Sequence, residues 1–171
     1  MPLKAIAFDW GHTVMDERRD EQIPLDSRPI HLMPGVADVL PQLPLPLVLW
    51  ANTRDAGEAD VRRWLHRAGL GALFSSVITS TDAGVRKPAR QFFEYALMQG
   101  GLTKADTVFV GNQLNTDIAG AQAIGIRTVW LSGAAYRSLD DAPCDAHPTY
   151  TIETLYSLPA LVRTLQHSSV T

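Results

Sequence analysis

Residues 5–13 read Ala-Ile-Ala-Phe-Asp-Trp-Gly-His-Thr. Four apolar residues, Ala5–Phe8, end at Asp9, and a glycine and two polar residues come within the next four positions. A short unbroken apolar run bounded by turn-forming residues is the pattern of a strand covered on both faces. The pattern recurs at residues 45–51, 76–79, 107–110 and 126–131. Helical patterns lie between the runs. Residues 36–43 come after Pro34-Gly35. Residues 55–68 place Val61, Trp64, Leu65 and Ala68 on one face, with Asp55 as the expected N-cap and Gly69 as the stop. Pro88 is expected to open the next helix, whose apolar face is Phe92, Phe93, Ala96 and Leu97, and Gly100-Gly101 to end it. Asn115 or Thr116 is expected to cap a helix reaching residue 124. A last helix is read over residues 152–166, with Pro159 interrupting or opening its main part.

Strand and helix alternating at this spacing predict an α/β fold: a three-layer αβα, Rossmann-like, doubly wound parallel sheet of about five strands. The chain of 171 residues fits a single domain over 1–171. Residues 14–33 are polar and contain proline, and read as a short excursion; residues 132–148 read as a second irregular stretch.

Composition narrows the function classes. Hydrophobic residues make up 46 % and charged residues 19 %, ordinary for a folded soluble chain. A net charge of −3 offers no basic footprint for nucleic acid and no polybasic attraction to a membrane. The single cysteine, Cys144, excludes an internal disulfide and a cysteine-based zinc site. The first apolar run is too short for a signal peptide core or a membrane span, so a cytoplasmic protein is expected. No sequence pattern sets the oligomeric state.

In open parallel sheets, ligands bind at the carboxyl ends of the strands. The residues just past the end of each run are therefore informative. After the first run stands Asp9-Trp10-Gly11-His12-Thr13, after the second Asn52-Thr53-Arg54, after the third region Gly84-Val85-Arg86-Lys87-Pro88, and after the fourth Gly111-Asn112-Gln113-Leu114-Asn115-Thr116-Asp117. Four polar clusters at four strand ends suit phosphoryl chemistry. A strand-end aspartate can attack phosphorus, and a second carboxylate can hold Mg²⁺. A lysine can neutralise charge on the transferring group.

These stretches resemble the four motifs of the haloacid dehalogenase superfamily. Phe8 to Val14 resembles the first, in which a nucleophilic aspartate is followed two residues on by a second aspartate. Trp50-Ala51-Asn52 resembles the second, where a serine or threonine before asparagine binds phosphate. Gly84 to Pro88 resembles the lysine motif, and Gly111 to Asp117 the acidic metal motif. Pro34-Gly35-Val36 and the run from Ala119 to Ile126 also sit where that family has them. The resemblance spans residues 5–161. It implies a hydrolase of a small phosphorylated molecule, with Asp9 and Lys87 catalytic. It places the substrate near Ala51, Asn52, Thr53 and His12, and Mg²⁺ on Asp9, the Gly11 carbonyl, Asn112 and Asp117.

The chain also departs from that pattern. Gly11 stands where phosphatases of the family carry a general acid, Ala51 where the phosphate-binding hydroxyl belongs, and Asn112 where an aspartate is expected. Loss of general acid–base help typically costs ~10²–10⁴-fold in rate. The excursion at 14–33 is too short for the helical cap many relatives insert there. A non-catalytic protein on the same fold therefore competes with the enzyme, as does a non-phosphate reaction such as dehalogenation. Carbon–phosphorus hydrolases of the family share tryptophan after the nucleophile, but they need a cap lysine, and 14–33 contains none.

The remaining chemistry-bearing residues have plainer readings. Thr13 is expected to hydrogen-bond its loop, and Trp10 and Trp50 to pack in the core or pocket wall. His31, His66, His147 and His167 lack ligand-like spacing. Arg18 and Arg19 lie in the excursion, where they read as solvated charges that overhang the pocket. Asp117 has a structural alternative as a helix cap, and His12 is a remote candidate to replace the missing acid.

Overall fold

Residues 2–138 and 144–167 are described by the computed structural model. The strands are β1 (Ala5–Phe8), β2 (Leu47–Ala51), β3 (Phe74–Thr79), β4 (Thr107–Gly111), β5 (Arg127–Leu131) and β6 (Tyr150–Ile152). They form one parallel sheet in the order β3-β2-β1-β4-β5-β6. The sixth strand extends the expected sheet at its edge. It has three residues, too few to show a period in sequence, and ends at Ile152, where a helix was expected to begin.

The helices are α1 (Val36–Val39), α2 (Glu58–Arg67), α3 (Ser80–Ala83), α4 (Arg90–Gly100), α5 (Ala119–Gln122) and α6 (Leu158–His167). Alternate residues of the central strands feed two apolar layers. Ile6 and Phe8 of β1 pack in one cluster with side chains of α1, α2 and α6. Ala7 joins a second cluster with Trp50, Phe109 and the α4 residues Phe92, Phe93, Ala96 and Leu97. Truncating one of these buried aromatics to alanine costs about 3–5 kcal/mol. Trp10 and Trp50 are both core residues.

Three helix starts differ from expectation, each for a local reason. α2 is capped by the Asp60 carboxylate, which accepts from the Gly57 N–H at 2.9 Å, and by Asp82, which accepts from the Glu58 N–H at 2.8 Å, not by Asp55. α4 begins at Arg90, not Pro88. There the Lys87 backbone is held by the Asn52 side chain, whose amide donates to the Lys87 carbonyl at 3.0 Å. α6 begins at Leu158, with Pro159 in its first turn. Before α5 the chain makes a wide π-type turn over Leu114–Ile118, whose start is held by Asp117 accepting from the Gln113 N–H at 3.1 Å.

The excursion at 14–33 is an ordered flap. Its two ends pair at Met15 and Leu32, and the Met33 N–H donates to the Val14 carbonyl at 2.9 Å. Its tip is fastened to α2. Asp26 accepts from Trp64 Nε1 at 2.9 Å, and Arg67 donates to the carbonyls of Leu25, Asp26 and Arg28. Residues 139–143 of the second irregular stretch lie outside the described residues. The part before them contains a 3₁₀ turn at Ala134–Tyr136.

Candidate active site

β1 sits between β2 and β4, where the strand order changes direction. That is the position at which a doubly wound sheet opens a crevice. Asp9 leaves the end of β1 there, its N–H donating to the Val110 carbonyl at 2.9 Å. Lys87 arrives from the loop before α4. Its backbone is clamped by the Asn52 side chain, which accepts from the Lys87 N–H at 2.9 Å and donates to the Lys87 carbonyl at 3.0 Å. Asn52 is thus the residue that fixes the lysine, and it also lines the cavity.

The Lys87 ammonium donates to Asp9 Oδ1 at 2.5 Å and to Asp117 Oδ1 at 2.7 Å. It lies 5.2 Å from the centre of the Phe109 ring, and the whole residue is buried. Burial alone would pull the lysine pKa down, but the charges of Asp117 and Asp9 outweigh it and the net shift is upward. Asp117 is pushed up to about 6, first by burial and then by the charge of Asp9, against the pull of Lys87. Gly111 makes this closeness possible. A Cβ there would lie 2.6 Å from the Asp117 carboxylate.

A polar cavity of about 330 Å³ opens over Asp9 and Lys87, lined also by Gly11, His12, Asn52 and Glu17. Arg86, Gln113, Thr116 and Ser138 complete its wall. Glu17 was not singled out by its place in the sequence. A Cβ on Gly11 would fall 2.5 Å from Glu17 Oε2 and 2.8 Å from its carboxyl carbon. The Glu17 carboxylate therefore fills the space that a side chain at residue 11 would take. The left-handed backbone of His12, at φ 57°, is part of the tight turn that brings the chain back.

Other expected site residues are placed differently. Ala51 is fully buried in β2 and adds no group to the cavity wall. Thr53 turns away: its hydroxyl donates to the Ala56 carbonyl at 2.7 Å, and its N–H donates to Ser80 Oγ at 2.9 Å. Asn112 accepts from the Thr13 hydroxyl at 3.2 Å and donates to the Tyr136 carbonyl at 2.7 Å, a clamp behind the site and not part of its lining. The Thr13 hydroxyl was expected to bond its own loop and reaches instead across the site to Asn112 after β4. Asp117 acts as both cap and ion-pair partner. Arg18 is engaged by Asp16 at 2.8 Å, and His31 pairs with Asp20 at 2.7 Å.

The fit of Mg²⁺ rests on the donor set. Asp9 and Gly11 line the cavity and offer hard oxygens, whereas both Asp117 oxygens are engaged behind it, by Lys87 and by the Gln113 N–H; Mg²⁺ commonly takes one or two carboxylates and keeps several waters. Among the described residues, no group of three or more acidic, histidine or cysteine side chains forms a chelating cage. The set thus suits a sparse oxygen site, with the Asp9 oxygen not engaged by Lys87 facing a polar cavity.

Residues 84–158 match a family model described as haloacid dehalogenase-hydrolase-like. The glyceraldehyde 3-phosphate phosphatase of Methanocaldococcus jannaschii is 35 % identical over 108 residues, covering 62 % of this chain and 46 % of that protein. The chain thus spans about half the length of the curated relatives it matches. Among solved structures, an uncharacterised Listeria monocytogenes protein superposes with a TM-score of 0.80 at 24 % identity, covering 96 % of this chain and 99 % of that one. The HAD-hydrolase YfnB of Bacillus subtilis, solved bound to magnesium, gives 0.76 at 17 % identity, covering 95 % and 99 %. No helix among the described residues is long and apolar enough to cross a membrane. The sheet order and the strand-end clusters agree with these likenesses: residues 84–158 match the haloacid dehalogenase-like family model, and the solved structures share the fold of the whole sheet.

Proposed function

We propose that this chain is a Mg²⁺-dependent phosphatase of small phosphorylated molecules, with Asp9 as nucleophile. The carrying observation is Lys87. Its buried ammonium joins the carboxylates of Asp9 and Asp117 under a polar cavity. That arrangement orients Asp9 and sets fixed positive charge beside the attacking carboxylate and the phosphoryl oxygens that approach it. A wall of charged and amide side chains suits a phosphate ester better than a haloalkanoate. The M. jannaschii relative is by name a phosphatase of a triose phosphate, which supports the same substrate class here.

In the first step an Asp9 oxygen attacks phosphorus. A P–O bond forms to the carboxylate, and the bond to the leaving oxygen breaks. Gly11 cannot protonate that oxygen, and Glu17, whose carboxylate fills the place beside Gly11, is assigned the proton transfer. In the second step water attacks phosphorus, the acyl-phosphate P–O bond breaks, and the proton of the water passes to Glu17. Inorganic phosphate leaves and Asp9 is restored. Asp9 and the Gly11 carbonyl would hold Mg²⁺, which would supply charge neutralisation on the phosphoryl oxygens. Asn112 is left as the clamp on Thr13 and Tyr136.

Hydrolysis of an aryl phosphate and of a sugar-phosphate panel, with and without Mg²⁺, tests the reading beside Asp9→Asn. Metal-dependent turnover lost by about 10⁴-fold or more in the variant is expected, as for removal of a nucleophile elsewhere. No turnover on any substrate would leave a binding protein on this fold, and equal rates in the variant would overturn Asp9 as the nucleophile.

A further inference from the structure

A second cavity, of about 530 Å³, adjoins the first and shares His12, Glu17 and Ser138 with it. Its charged lining is Arg18, Arg28, Arg54 and Arg137 against Glu17 and Glu21. Arg18 is committed to Asp16, but Arg54 and Arg137 are exposed and make no ion pair among the described residues. Arg28 is the unusual member. It is only 5 % exposed, yet it has no carboxylate partner among the described residues. Its Nη1 donates to the Asp20 carbonyl at 3.2 Å, and its Nε has no hydrogen-bond partner.

A buried, unneutralised guanidinium is costly, on the order of several kcal/mol, and proteins rarely keep one without a counter-charge. The fold goes to some length to hold this one. Arg67 of α2 donates to the Arg28 carbonyl, and Asp26, two residues earlier, is bonded to Trp64. Arg86, on the wall of the first cavity, likewise donates only to a neutral group, the Thr53 carbonyl, at 2.6 Å. Arg28, Arg54, Arg86 and Arg137, none with an ion pair among the described residues, thus line the two adjoining cavities.

We propose that this second cavity binds a second anionic group of the substrate, resting on the phosphatase reading for what occupies the first. The substrate class is then a phosphomonoester carrying a carboxylate or another phosphate on a short carbon chain. The ester phosphate sits at Asp9 and Lys87. The remote anion pairs with Arg28, with Arg54 and Arg137 closing over it, because a planar guanidinium takes both oxygens of a carboxylate or phosphate. The position of Glu17 on the wall between the two cavities keeps it beside the scissile bond.

Calorimetric binding to the Asp9→Asn protein with Mg²⁺ tests this without turnover. The ligands are two pairs that differ by one anion: 3-phosphoglycerate with glycerol 3-phosphate, and fructose 1,6-bisphosphate with fructose 6-phosphate. The member of at least one pair that carries two anionic groups should bind tenfold or more tightly, and the pair that shows it tells carboxylate from phosphate. Arg28→Met should reduce that preference to threefold or less. If that variant does not fold, Arg54→Ala and Arg137→Ala, at exposed positions, should each lower the preference at least threefold. Equal affinities within both pairs, or a preference that survives all three substitutions, overturns the proposal. Preference in binding with no turnover by the wild type would keep the subsite and discard the phosphatase reading. Turnover without preference would do the reverse.

Discussion

Lys87 and Arg28 are both buried cations, and the fold treats them in opposite ways. Lys87 is met by two carboxylates at 2.5 and 2.7 Å, and its charged state is reinforced. Arg28 is met by one backbone carbonyl. A buried charge is tolerated when a counter-charge answers it. At Lys87 the chain supplies that counter-charge itself, so Asp9 is held in place without a ligand. At Arg28 the described residues supply none. The first region is neutralised from within, and the second is the one proposed to meet a ligand's anion.

Breaking the first region should do the most damage. Lys87→Met leaves Asp9 and Asp117 facing each other in a dry pocket. Turnover should be lost, and the unfolding free energy in urea should fall by about 3–5 kcal/mol, as when one partner of a buried pair is removed. A loss below about 1 kcal/mol would show that the triad is not held as the geometry indicates.

Glu17, on the wall between the regions, should matter next. Glu17→Gln keeps the volume beside Gly11 but cannot give up a proton. Hydrolysis of an alkyl phosphate should drop by ~10²–10⁴-fold, and an aryl phosphate with a good leaving group should suffer much less. The basic limb of the alkyl-phosphate pH–rate profile should also change. Equal losses on both substrates would reduce Glu17 to a packing residue.

The second region should respond with the opposite sense. Arg28→Met removes an unanswered charge and keeps the volume. In the absence of ligand its unfolding free energy should stay within about 1 kcal/mol of wild type, or rise. A loss like that of Lys87→Met would erase the contrast between the two cations.

The smallest effect concerns a charge answered near the surface. Asp106 is buried, accepts from the Thr103 N–H at 2.8 Å and pairs with Lys4 at 2.9 Å. Burial pushes its pKa up, but Lys4 and Thr103 together hold it below the ordinary 3.8. A depressed carboxylate contributes stability above its unfolded pKa and loses it as pH falls through the folded value. Asp106→Asn should therefore flatten the stability curve below about pH 4, by roughly 1 kcal/mol or less for a pair with an exposed partner. An unchanged acid limb would show that the pair contributes nothing.

How much of this was legible depends on distance along the chain. Asp9, Lys87 and Asp117 could be read because each lies past an apolar run that must become a buried strand, and strand ends converge on the crevice. The sixth strand could not, since three edge residues carry no period. Ala51, Thr53 and Asn112 were placed near the chemistry by position alone, and their side chains were taken up by packing or by hydrogen bonds to Ala56, Thr13 and Tyr136.

The sequence by itself determined the α/β alternation, the polar clusters at the strand ends and the absence of an acid at Gly11, because these depend on local periodicity and residue type. Only the tertiary structure decided that Glu17 fills the space beside Gly11 and that Arg28 is buried without a counter-charge. Both lie in a loop with no repeat to read, and their positions are set by where Met15 pairs with Gly11 and Leu32 and where Asp26 and Arg67 fasten the loop tip to α2.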